Sequence, residues 1–96
     1  MQFLAVTRRR TESFSDAEFE ERIEAERQQA RMLYVENTLR QIWHRADVGG
    51  AVLMFEADSE AEARRAIEQL PLHQAGMLEL VMLIPLKPYG GFGPRD

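Results

Sequence analysis

The chain has 96 residues, 45 % hydrophobic and 29 % charged, with no cysteine and a formal charge of −4. That length supports one domain with a modest core, and the composition argues against disorder. The acidic balance speaks against a nucleic-acid partner, the lack of cysteine excludes disulfides and thiolate metal sites, and two histidines without ligand spacing argue against a structural metal.

Residues 3–7 are short and apolar and predict a strand. No basic segment and signal-like apolar run accompany them, and no stretch approaches the roughly 20 apolar residues of a membrane helix. The expectation is a soluble cytoplasmic protein. Residues 8–13 read as a polar loop in which Arg8, Arg9 and Arg10, the one basic cluster, are solvated. Ser15 with Glu18 forms a capping box, and Phe14 with Phe19 a hydrophobic staple. They open a helix over 16–35, with Asn37 as its stop.

Strands follow at 39–47 and 51–57, joined through the permissive Gly49-Gly50 backbone. Ser59 with Glu62 is a second capping box, opening an alanine-rich helix through Leu70 that Pro71 stops. Residues 77–86, nearly all apolar, make the last strand, and the tail from Lys87 onward is neither strand nor helix. Residues 1–86 thus form the domain. Tyr89 and Phe92 in the tail 87–96 suit a subunit interface.

The order β-α-β-β-α-β predicts an α+β, ferredoxin-like fold: a four-stranded antiparallel sheet with two helices on one face. Both faces of the strands are apolar. Leu78, Leu80, Met82 and Ile84 alternate with Met77, Val81 and Leu83, and Ala51, Leu53 and Phe55 alternate with Val52 and Met54. Leaving half a dozen such side chains in water forgoes on the order of 10 kcal/mol, so the bare face predicts a homodimer or larger homo-oligomer.

On a helical wheel Phe19, Ile23, Ala30, Leu33 and Tyr34 share a stripe, and Glu26 falls in its middle. A carboxylate there is paired with an arginine, hydrogen-bonded, or raised in pKa and able to take and return a proton. In the second strand Trp43 and Arg45 share one face, Ile42 and His44 the other. Arg45 offers a fork for a carboxylate, Trp43 a pocket wall, and His44 a general acid or base. Either face can meet the helices. Tyr34 packs with its hydroxyl within reach of a ligand, His73 sits in a loop able to rim a cleft, and Glu79 is the lone charge of the last strand. No phosphate loop, nucleophile elbow or dinucleotide fingerprint occurs.

Glu26-Arg27-Gln28-Gln29-Ala30-Arg31-Met32-Leu33, Leu39-Arg40-Gln41-Ile42-Trp43-His44-Arg45, Phe55-Glu56-Ala57-Asp58-Ser59, Leu70-Pro71-Leu72 and the final Leu83-Ile84-Pro85-Leu86 together resemble the muconolactone isomerase family of the dimeric α+β barrel superfamily. The resemblance covers about residues 19–86. It implies a cofactor-free proton shift on a small unsaturated lactone carboxylate, in an enzyme assembled from dimers. By position the family's helix glutamate falls on Glu26, its strand tryptophan on Trp43 and its last-strand acid on Glu79. The chain departs from the family in carrying His73-Gln74-Ala75-Gly76 after Leu-Pro-Leu, and His44 rather than arginine after the tryptophan. Three functions stay open: an isomerase using Glu26, a cofactor-independent oxygenase or cyclase using His44 and Trp43, and a non-catalytic binding or assembly domain.

Overall fold

A computed structural model describes residues 1–92, Phe92 by its backbone alone. Its elements are β1 (Gln2–Arg9), α1 (Asp16–Glu20), α2 (Ile23–Val35), β2 (Leu39–His44), β3 (Ala51–Glu56), α3 (Glu60–Glu68), α4 (Pro71–Gln74) and β4 (Leu78–Leu86), followed by a single 3₁₀ turn, Gly90–Phe92. The strands form one antiparallel sheet in the order β2-β3-β1-β4, with the helices on one face. The fold is α+β and ferredoxin-like, as the element order implies.

The capping signals act as expected at three of four places. The Ser15 hydroxyl accepts the Glu18 amide while Glu18 accepts the Ser15 amide. Asn37 takes a left-handed φ of 66°, with the Asn37 and Thr38 amides donating to the Tyr34 and Leu33 carbonyls, a Schellman ending. Ser59 caps α3 through the Glu62 amide, but the Glu62 carboxylate reaches the Asp58 amide instead of closing a box. Pro71 does more than stop α3: it is the first residue of α4, where its missing N–H costs nothing.

The helix expected over 16–35 is two helices. At Glu21–Arg22 the Arg22 amide bonds to the Phe19 carbonyl, a tighter turn with no proline or glycine to announce it. The break lets two separate clusters fill. Phe19 of α1 packs with Leu72, Met77 and Leu78, while Leu33 of α2 joins Phe3, Leu53, Phe55 and Ile67 in the main core.

Register decides the faces. Phe3, Ala5 and Thr7 of β1 are buried under the helices, and Leu53 and Phe55 of β3 lie beside them. In β4 the simple alternation expected from the sequence fails. Val6 pairs with Met82 but Thr7 with Leu80, so Val81 is an extra residue in a bulge. The bulge brings Leu80 and Leu83 onto the core side and leaves Met82 and Ile84 on the open side. That open face carries Met82 at 52 % and Trp43 at 46 % exposure.

Gly50 closes the β2–β3 connection with φ 140°, and a Cβ there would collide with the Thr7 carbonyl oxygen. Gly50→Ala should therefore lower stability by roughly 2 kcal/mol or more. Gly90→Ala, where a Cβ meets nothing within 4 Å, should leave it unchanged. Urea denaturation at one fixed protein concentration checks both.

Candidate active site

Between α2 and the sheet lies a cavity of about 460 Å³, within the size range of small-molecule sites. Ile23, Glu26 and Ala30 reach it from α2, because positions three and four apart share a helix face. Ile42, His44 and Leu53 reach it from the sheet. The register pairs Ile42 with Leu53 and His44 with Ala51, which settles the face of β2 that meets the helices.

Glu26 is half-buried, and its Oε1 accepts the Leu72 amide at 3.0 Å. That donor is there for a reason of helix chemistry. The cap residue Leu70 offers no side-chain acceptor and Pro71 has no N–H, so Leu72 carries the first amide of α4 in need of a partner. Among the described residues Glu26 makes no ion pair, which sets aside the reading that it merely pairs with a strand arginine. Burial pushes its carboxyl above the usual carboxylate range, and the Leu72 amide and the Arg9 charge pull less strongly the other way.

The other candidates divide. His44 borders the cavity from the exposed end of β2. Trp43 also borders it, but its register opposite Val52 sets it on the open face of the sheet. Arg45 is elsewhere: its Nε and Nη2 grip Asp47 at 3.0 and 2.7 Å and its Nη1 donates to the Thr7 carbonyl. This pairing, with the Val48 amide, holds Asp47 down to about 2. Tyr34 stands 62 % exposed on α2, clear of the cavity. His73 belongs to α4 instead of a loop, and its Nδ1 is buried without a hydrogen-bond partner among the described residues, outside the cavity lining. Glu79 pairs with Arg8 at 2.8 Å across the β1–β4 ladder, away from the cavity.

Arg9 is the residue the sequence reading missed. It is the last residue of β1, not part of a solvated loop, and it borders the cavity with its guanidinium 5.0 Å from the centre of the Phe19 ring. The signal was present: alternation from Phe3 through Ala5 and Thr7 carries on to position 9. No three His, Cys, Asp or Glu side chains gather into a metal-binding group among the described residues, and no helix there is long and apolar enough to cross a membrane.

The sequence matches the family model of muconolactone delta-isomerase over residues 1–90. The chain belongs to that family. No curated protein matches it significantly in sequence. Among solved structures it is similar to a 5-chloro-2-hydroxyhydroquinone dehydrochlorinase from Burkholderia phenoliruptrix, solved in complex with 2,5-dihydroxybenzoquinone. The TM-score is 0.68 at 20 % identity, covering 91 % of this chain and 94 % of that one, and it supports the ferredoxin-like fold of this muconolactone isomerase relative.

A carboxyl held above its ordinary value in the folded protein stabilises the fold fully at low pH, and that contribution fades as pH rises through the folded-state pKa. Glu26→Gln removes the ionisation and keeps an acceptor for Leu72. The variant should be at least as stable as the parent at pH 7, with the advantage shrinking toward pH 4.5. Parallel denaturation curves across pH test this; an advantage growing toward acid would contradict it.

Proposed function

We propose that the protein is a cofactor-free isomerase that moves a proton within a small lactone or enolisable carboxylic acid. The observation that supports this most is Glu26: without an ion pair among the described residues, half-buried, raised in pKa, and facing a cavity with one oxygen anchored by an amide. Anchoring Oε1 leaves Oε2 to act. It would take a proton from carbon next to the substrate carbonyl, and the electron pair left behind would spread into an enolate. His44 at the cavity border is the donor for the enolate oxygen. The protonated Glu26 would then return the proton at the far end of the conjugated system, so nothing is gained or lost. The family match supports this chemistry, and the relative's quinone ligand suits a ring-sized cavity.

Glu26→Gln should lower turnover of a muconolactone-type substrate by about 10²–10⁴-fold with the fold intact, read by absorbance. In the parent, kcat/KM should rise with pH through a pKa above the ordinary glutamate value. Unchanged turnover in the variant would remove Glu26 from the reaction.

The same proposal includes assembly in the cytoplasm, whose reducing conditions suit a cysteine-free chain. The open face presents Trp43, Met82 and Ile84 together with Leu4, Val6 and Met54, neighbouring apolar side chains of the kind that mark an interaction surface. A second copy packed sheet to sheet would cover it, with the tail after residue 86 lying over the partner. Tyr89 in that tail is exposed, whereas residues 93–96 and the Phe92 side chain lie outside the described residues. Met82→Asp should shift the assembly toward the 11.1 kDa monomer in sedimentation velocity. A parent that already sediments as that monomer would refute the pairing.

A further inference from the structure

The proposed chemistry needs a cation to hold the substrate's carboxylate, and Arg45 is spent on Asp47. We infer that Arg9, seated on Gly49 and laid over Phe19, is the residue that binds that carboxylate. The inference rests on the proposed function and adds to it the group that selects for an anion.

Arg9 is held at both ends. Its amide donates to the Gly49 carbonyl at 2.9 Å, and its stem lies so close to Gly49 that a Cβ there would stand 3.2 Å from Arg9 Cδ. Any larger residue at position 49 would push the stem aside. At the other end the guanidinium rests over Phe19, whose ring is buried and braced edge-on by Phe14 at 6.2 Å between centroids. An arginine spread on an aromatic face keeps the N–H edges of its fork free for a planar, two-point partner. Pre-ordering also lowers the side-chain entropy lost on binding.

The charge pattern agrees. Arg9, Arg27 and Arg31 border the cavity against the single carboxylate of Glu26, in a chain whose overall charge is −4. Arg27 and Arg31 are exposed on α2 and supply field without fixed geometry. Arg9 and Glu26 feel one another's charge, yet they are not within ion-pair distance. Substrate can therefore sit between them, its carboxylate on Arg9 and its acidic carbon toward Glu26. Arg9 makes no ion pair among the described residues, whereas Arg8, Arg45 and Arg64 each do.

The test separates anion binding from turnover. 2-Furoate, a five-membered-ring carboxylate, and its neutral isostere 2-furamide are titrated into the intact protein and followed by amide NMR shifts. Furoate should move the Glu26, Leu53 and Leu72 signals, and Arg9→Gln should weaken it by about tenfold or more while leaving furamide within about twofold. Arg9→Lys, which keeps the charge and loses the fork, should fall between, and Arg45→Gln should bind furoate as the parent does. Gly49→Val should weaken furoate and spare furamide. Equal losses of both ligands, unchanged furoate binding in Arg9→Gln, a loss in Arg45→Gln, or no furoate binding by the folded parent would each overturn the assignment. Thermal melts of every variant check that the fold is retained. Since binding is read without turnover, an inactive enzyme that still selects furoate through Arg9 would sink the isomerase reading alone.

Discussion

The Leu72 amide and the Glu26 carboxylate meet at 3.0 Å, and two parts of the molecule depend on that hydrogen bond. It ties α4 to α2, elements joined by no strand ladder, and it gives α4 the N-terminal acceptor that its own cap residue lacks. It also settles how a carboxylate can sit in an apolar cavity. One oxygen is satisfied by the backbone, so the cost of burial falls on the other, and the charged form is disfavoured without being forbidden. A full ion pair would have quenched the group, and open solvent would have left it an ordinary surface acid.

The sheet constrains the site in a second way. With helices on one face only, each strand position belongs either to the cavity side or to the open side, and the bulges choose. In β2 the register shifts between Leu39 and Gln41, after which Ile42 and His44 face the helices and Trp43 does not. In β4 the extra residue Val81 exchanges the faces of everything beyond it. The cavity and the apolar open face are therefore two products of one register. Gly49 and Gly50 belong to the same machinery: they let the β2–β3 connection press against the end of β1, with Arg9 across one glycine and Thr7 across the other.

Much of this was readable in the residues. The coarse order of strands and helices, the caps at Ser15 and Asn37, the alternation within β3, and Glu26 within an apolar stripe all follow from short-range rules. The readings that changed share one cause. Arg45, Tyr34, His73 and Glu79 were candidates because their side chains suit chemistry. What each one touches depends on residues distant in the chain or on details of a turn: Asp47 for Arg45, Arg8 for Glu79, the path of α4 for His73. Arg9 escaped for the opposite reason, since a run of three arginines looks solvated until the strand is seen to extend as far as its second member.

Local pattern is written in the chain because helices, strands and caps answer to neighbours within about four residues. On those grounds the α+β class, the two-sided apolar sheet and the placement of one acid on a buried stripe belong to the sequence. The break at Glu21–Arg22, the bulge at Val81, and the seating of Arg9 over Phe19 at the cavity edge belong to the folded molecule. Each of these is set by how distant segments compete for the same space and the same charges, a competition that takes place only once the helices have closed over the sheet.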